Sequence, residues 1–218
     1  MKQHADIISC SWGFVNGSPE LCEAVEGALK RGILVFASAS NTGLNEKTPP
    51  YPAAITGVYT IGACDNFGYA AKFTSPNATY LLPGKNIIST YPRYLNDAGS
   101  RCLSGCSMAT AISAGLAARI LEFGQICRLD TMELRKDEKI HGIFKKFARG
   151  SSLFVCNHIA FSRWRPWHIW YTFPPRFFRN IKKQQPSRKS SPPQQKENRH
   201  TKKQHQLLHP PITRLLVI

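Results

Sequence analysis

Acidic residues are scarce at one end of this sequence. Residues 149–218 carry 14 lysines and arginines and a single acid, Glu197, whereas residues 1–124 carry 9 basic and 8 acidic side chains. Most of the net charge of +16 at pH 7 therefore belongs to the tail, and the first part is close to neutral. Long apolar runs are missing too. No segment holds the ~18 consecutive apolar residues that cross a bilayer, so no membrane partner is expected. Nothing after Met1-Lys2-Gln3-His4 reads as a secretory leader, which leads to the expectation of an intracellular, cytoplasmic protein. The seven cysteines include no Cys-x-x-Cys pair and no Cys/His spacing suited to zinc. Reduced thiols fit such a set, and neither a metal site nor a cofactor is expected. The triplet Asn77-Ala78-Thr79 matters as a glycosylation acceptor only in an exported chain.

What is present alternates between two periods. Ala5–Cys10 reads as a short buried strand. Ser18 follows as an N-cap, with Pro19 at the first helical position and Glu20 and Glu23 in the first turn. Leu21, Ala24, Val25, Ala28 and Leu29 recur at helical spacing until Gly32 ends the helix. The unbroken apolar run 33–37 predicts a strand buried on both faces, as in a parallel sheet. Further strands are predicted at 58–63 and 87–90, with a turn at Leu82-Pro83-Gly84 between them. Residues 107–123 predict a helix with Ala111, Ile112, Leu116, Ile120 and Phe123 on one face. This order of elements points to an α/β fold with a doubly wound, mostly parallel sheet in three layers. The run 128–148 predicts a charged amphipathic helix or helix pair anchored by Leu129, Met132, Leu134, Ile140, Ile143, Phe144 and Phe147. Residues 163–179 interleave arginine with aromatics and proline, and 182–206 are polar and basic. The whole tail is expected to be disordered, or to be misread coding sequence.

Two residues stand where chemistry is expected. Ligands of open α/β sheets bind beyond the carboxyl ends of the strands. Asn41 lies just past the strand 33–37, and Ser107 opens the long helix, where free backbone N–H groups and a positive partial charge collect. Such donors suit an oxyanion beside the serine, and an asparagine amide converging there adds another. Taken singly, Ser107 is a helix-start serine and Asn41 a turn residue.

Several stretches together say more. Ser104-Gly105-Cys106-Ser107-Met108-Ala109-Thr110 resembles the nucleophile motif of subtilisin-like serine peptidases, usually Gly-Thr-Ser-Met-Ala. Phe36-Ala37-Ser38-Ala39-Ser40-Asn41-Thr42-Gly43 resembles their segment ending in the oxyanion asparagine, often Ala-Ala-Gly-Asn. Asp6–Gly13 resembles the strand ending in Ser-Leu-Gly. Tyr51-Pro52-Ala53 with Ile61-Gly62-Ala63, Phe73-Thr74-Ser75 and Leu82-Pro83-Gly84 resemble further landmarks, all in family order. The extension through Phe147 is more like that of intracellular fungal members. The resemblance implies that Ser107 attacks a peptide carbonyl to form an acyl-enzyme. It implies that the Asn41 amide and the Ser107 N–H bind the oxyanion. Ser11, Trp12 and Gly13 would pair with an extended peptide or protein substrate, and Ala37, Ser38 and Ala39 would line the facing wall of the specificity pocket.

The sequence also departs from the family. Its aspartate and histidine precede the oxyanion asparagine by a long way, and only 40 residues stand before Asn41 here. His4 and Asp6 fall there without a catalytic motif around them. The implied fold is thus a subtilisin-like domain lacking its first strands over 1–123, a helical extension over 124–148 and a basic tail over 149–218. The implied function is serine endopeptidase by descent, with this chain alone inactive. The alternatives are a non-catalytic peptide-binding module and a nucleic-acid binder working through the basic tail. Oligomeric state is not legible. Cys106 replaces the usual threonine, and Ala111 a proline.

Overall fold

The computed structural model describes residues 4–45, 48–149, 154–155 and 213–217. The arginine–aromatic run 163–179 and the polar run 182–206 lie outside the described residues.

Strand β1 (Ile7–Cys10) leads through helix α1 (Pro19–Lys30) to β2 (Leu34–Ser38), the parallel strand–helix–strand unit that the sequence predicts. The Ser18 hydroxyl accepts the Leu21 N–H at 3.2 Å, Pro19 sits in the first turn, and Gly32 leaves the helix at φ +72°. β2 and β3 (Tyr59–Cys64) are buried along their whole length, because helices cover both faces of the sheet. β4 (Tyr80–Pro83) follows as a fourth parallel strand. It includes the Leu82-Pro83 pair expected in a turn. Pro83 is tolerated because it closes the strand, and the next N–H, that of Gly84, donates to the Cys64 carbonyl at 3.0 Å.

The predicted strand β5 (Ile87–Thr90) lies outside this sheet. It forms an antiparallel hairpin with β6 (Ser100–Leu103), which the sequence reading missed. Helix α2 (Cys106–Ile126) then crosses the sheet, followed by α3 (Thr131–Leu134) and α4 (Asp137–Phe147). By length and hydropathy alone α2 is long and apolar enough to span a membrane. Half of that stretch is buried inside the fold, as in a core helix. Its buried face matches the predicted one only in part: Leu116 and Ile120 are buried as expected, whereas the face is set by other residues. Ala109, Thr110, Ser113, Ala114, Leu116, Ala117, Ile120, Leu121 and Gly124 point inward, and Ala111 is exposed. Thr110 and Ser113 count as polar in a periodicity scan, yet their hydroxyls donate to carbonyls one turn back, at 2.8 and 2.7 Å.

The layers separate by strand alternation. Val35 and Ala37 pack with Cys10, Ala28, Ala53 and Val58 on the α1 side. Phe36, between them, points the other way and stacks on Tyr59 at 4.9 Å. Phe144 of α4 closes over Phe36, Tyr59 and Tyr80 at ring distances of 6.0, 6.3 and 5.2 Å. Each such buried ring contributes about 1.5–3 kcal/mol of transfer free energy, so α4 is part of the core rather than an appendage.

Both edges of the four parallel strands are covered from the C-terminal side. β7 (Ala148–Arg149) and β8 (Phe154–Val155) form a short antiparallel pair, with β8 beside β4. β9 (Leu215–Val217), inside the stretch expected to be disordered, runs parallel to β1 from Ile7 to Ser9. The sheet order is β7-β8-β4-β3-β2-β1-β9. An open edge invites pairing with other chains, and these short strands close it.

Candidate active site

The carboxyl ends of β1 and β2 and the amino end of α2 meet at one point. Beyond β1 the backbone of Ser11–Gly13 runs on outside any ladder, and Phe14 then exchanges two hydrogen bonds with Tyr51, at 2.9 and 2.8 Å. Gly13 is required there: a Cβ would stand 2.8 Å from the Pro50 Cβ. Beyond β2 the chain bends through Ser40, whose φ of +92° lies in the left-handed region. A serine there costs about 1–2 kcal/mol relative to glycine, the residue usual at this position in the resembling motif. Bonds from Ser40 Oγ to the Thr42 hydroxyl (3.0 Å) and from the Thr42 N–H to Ser40 Oγ (3.3 Å) hold the bend.

Asn41 and Ser107 are brought together by Cys106. Its N–H donates to Asn41 Oδ1 at 2.8 Å, a contact spanning 65 residues of sequence. Because Oδ1 is committed to that N–H, the amide nitrogen is left as a free-facing donor. The Cys106 thiol donates to the Ser40 carbonyl at 2.9 Å and lies 3.7 Å from the Thr74 hydroxyl. Thr74 in turn donates to the Ala63 carbonyl at 2.7 Å and accepts its N–H at 3.0 Å. Cys106 is fully buried, and burial pushes its thiol up from the ordinary range, so it stays a neutral donor. Gly105 seats the helix start by donating to the Gly84 carbonyl at 2.8 Å. A Cβ on Gly84 would stand 2.6 Å from the Ala63 Cβ and 2.9 Å from the Gly105 carbonyl.

Ser107 lies in the first turn of α2, so its N–H has no helical acceptor and adds to the positive end of the helix. Its hydroxyl donates to the Ser11 carbonyl at 3.1 Å, and the Ser11 hydroxyl donates back to the Ser107 carbonyl at 3.2 Å. Asn41 is exposed and Ser107 half-buried, so the pair opens to solvent. Trp12, half-buried, packs 5.4 Å from Phe14. Ala37, Ser38 and Ala39 are buried, and the Ala39 N–H pairs with Ile61 at 2.9 Å.

Asp6 and His4 stand elsewhere. Asp6 precedes β1, five residues and about 16 Å of extended chain from Ser11. Its carboxylate is occupied: Oδ1 accepts Arg135 Nη1 at 2.7 Å and Oδ2 accepts the Arg214 N–H at 2.9 Å. His4 is exposed two residues further away. His141, the other described histidine, is bonded through Nδ1 to the Tyr80 hydroxyl beneath α4. Among the described residues, no imidazole or carboxylate is hydrogen-bonded to Ser107.

Comparisons with known proteins find relatives in sequence and in fold. The subtilase family model matches residues 1–136. Subtilisin DY of Bacillus licheniformis is 38% identical over 120 residues, 53% of this chain and 42% of that protein. The major intracellular serine protease of Bacillus subtilis (strain 168) is 38% identical over 128 residues, 56% of this chain and 39% of that protein. The chain thus spans about two-fifths of the length of these relatives. Among solved structures, the protease domain of PatA superposes with a TM-score of 0.54 at 28% identity, covering 67% of this chain and 53% of that one.

Proposed function

Because the chain belongs to the subtilase family, we propose that Ser107 is the nucleophile of an acyl-transfer site for extended peptides, with the Asn41 amide and the Ser107 N–H as its oxyanion donors. The observation that carries this reading is the 2.8 Å bond from the Cys106 N–H to Asn41 Oδ1, which orients an amide donor at the mouth of the helix bearing Ser107. Ser11–Gly13, outside any ladder, offers backbone groups to a substrate strand, and Ala37–Ala39 forms the opposite wall. Serine endopeptidase chemistry is the function by descent. Two similar proteins are named intracellular serine proteases, which supports an intracellular site of action.

The proton on Ser107 has a carbonyl for a partner instead of a base. These 218 residues by themselves are therefore expected to bind peptide but to cleave it slowly or not at all. Oxyanion donors and binding without a complete triad leave only about 10³–10⁴-fold acceleration over water. The same hydrogen bond favours, as second reading, a peptide-binding module.

A fluorophosphonate probe separates these readings. The isolated chain is expected to label no faster than Ser107→Ala, while an extended peptide still shifts the Trp12 fluorescence of both. Rapid labelling of the wild type alone would show that a base is present and overturn the inactivity. Absence of any peptide binding would remove the substrate-site assignment.

A further inference from the structure

Most of the large apolar side chains that stay exposed among the described residues lie at one end of the molecule, beyond the carboxyl ends of β1 to β4. That is the end that carries Ser107. Phe14 and Val15 follow β1, beside Ser11–Gly13. Farther across the sheet, Phe67 and Tyr69 follow β3, and Ile88, Tyr94 and Leu95 follow β4. These five are between 60% and 86% exposed. Single apolar residues occur anywhere on a surface, but a concentration of them marks a place of contact.

The two loops that carry the five spring from one point. The Cys64 carbonyl at the end of β3 accepts the Gly84 and Lys85 N–H groups at 3.0 and 3.2 Å. The Gly84 carbonyl accepts the N–H of Gly105, two residues before Ser107, at 2.8 Å. The backbone beneath the exposed side chains is braced. Asp65 Oδ1 accepts the Phe67 and Tyr69 N–H groups, both at 3.0 Å. In the hairpin β5–β6, Asn96 Oδ1 accepts the Ala98 N–H at 3.0 Å and its Nδ2 donates to the Ser100 carbonyl at 3.3 Å. Arg101 lies 5.2 Å from the centre of the Tyr91 ring and donates to its hydroxyl at 3.0 Å. Local bonds therefore hold Tyr94 and Leu95 out in water. The hairpin carries Lys85, Arg93 and Arg101 against a single acid, Asp97.

Sheet order fixes where this surface stands. Ser107 donates to the Ser11 carbonyl beyond β1, and Gly105 donates to Gly84 beyond β4, so the start of α2 runs across the strand ends from one to the other. Neighbouring strands lie about 4.8 Å apart, which sets the ends of β3 and β4 about 10–15 Å from that of β1, or about three to five residues of extended peptide. If one half of a peptide lies along Ser11–Gly13, the half beyond the attacked carbonyl crosses these loops.

We propose that Phe67, Tyr69, Ile88, Tyr94 and Leu95 form an exosite for the part of a polypeptide substrate that follows the attacked carbonyl, and that this part carries large apolar side chains with acidic ones among them. The proposal rests on the acyl-transfer reading of Ser107. Apolar contact supplies the affinity, and the basic hairpin selects the charge of its occupant. Continuity with the peptide site favours a polypeptide over a lipid surface.

The test uses the full chain and two peptides with a fluorophore at the amino end, read by anisotropy. Both begin Ala-Ala-Ala-Leu-Ala-Ala; one ends Leu-Phe-Glu-Leu and the other Gly-Ser-Gly-Ser. The apolar-ended peptide is expected to bind at least about tenfold more tightly. Tyr94→Ser with Leu95→Ser, and separately Phe67→Ser with Tyr69→Ser, are expected to remove most of that preference. Affinity for the polar-ended peptide is expected to stay unchanged in both, since exposed side chains leave the fold intact when replaced. Equal affinity for the two peptides, or a preference that both double variants retain, would overturn the exosite and leave the site at Ser107 standing. Binding of neither peptide would remove the substrate site and the exosite together. Binding to phosphatidylserine vesicles that both double variants abolish, with no preference between the peptides, would overturn the proposal in favour of a lipid surface.

Discussion

The N–H of Cys106 and the side-chain oxygen of Asn41 are 2.8 Å apart, and this bond decides which way the Asn41 amide points. The thiol of the same residue holds the preceding carbonyl, that of Ser40. Cys106 thus fixes both the backbone and the side chain of the loop facing Ser107. Replacing it by alanine leaves the half-buried Ser40 carbonyl without its donor and is expected to cost about 1 kcal/mol in urea unfolding. Threonine, which restores a hydroxyl, is expected to recover most of that loss. Equal stability of the alanine and threonine variants would show that the thiol is packing volume alone.

Ser40 makes the loop at a cost. Its φ of +92° is one that glycine adopts freely. Ser40→Gly removes the bonds to Thr42 but relieves the backbone, and a net stabilisation of about 0.5–1 kcal/mol is expected by chemical denaturation. A destabilised variant would mean that the two Thr42 bonds outweigh the strain.

Asp6 carries a structural load. It joins Arg135, the residue that ends α3, to the main chain of Arg214, and so fastens β9 beside β1. Asp6→Asn is expected to lower stability by about 1–3 kcal/mol and to speed amide exchange at Leu216 and Val217. Peptide binding at Ser11–Gly13 is expected to be unchanged. Loss of peptide binding in a folded Asp6→Asn would tie this carboxylate to the site after all.

Burial also writes a pH dependence into the fold. Desolvation pushes the thiols of Cys10 and Cys64 up to about 11 and about 12 from an ordinary 9.0. The folded state therefore keeps protons that the unfolded chain releases. That contribution is complete below pH 9 and is lost as pH rises through 9 to about 12, so unfolding midpoints are expected to fall across this window. Cys10→Val and Cys64→Val together are expected to flatten the fall. An unchanged alkaline slope in that double variant would assign the effect to other groups.

Much of this was legible in the sequence for physical reasons. The capped helix after β1 and the uninterrupted apolar run of β2 follow from local rules, since a strand covered on both faces has no polar side to show. The convergence of Asn41 and Ser107 was legible only through the ordered motifs, because nothing local in 41 or 107 points to the other. β4 was hidden by Pro83, which looks like a turn residue but sits at a strand end. The inward face of α2 was legible only at Leu116 and Ile120, because Thr110 and Ser113 bury their hydroxyls on the helix's own carbonyls. β9 left almost no signal: three apolar residues behind a long basic segment gain order only from the β1 edge they meet. The tether from Cys106 to Ser40 was invisible too, being a tertiary contact made by a residue that departs from the family pattern.

The direct test is whether the mouth of α2 and Asn41 stabilise a tetrahedral oxyanion on Ser107. A peptidyl boronic acid presents that geometry, and its boron NMR signal distinguishes trigonal from tetrahedral states. The account predicts a tetrahedral signal with the full chain, its loss in Ser107→Ala, and about 100-fold weaker binding in Asn41→Ala, a magnitude taken from the equivalent asparagine of subtilisin itself. Boron that stays trigonal at saturating inhibitor, or binding that ignores Asn41→Ala, would contradict it.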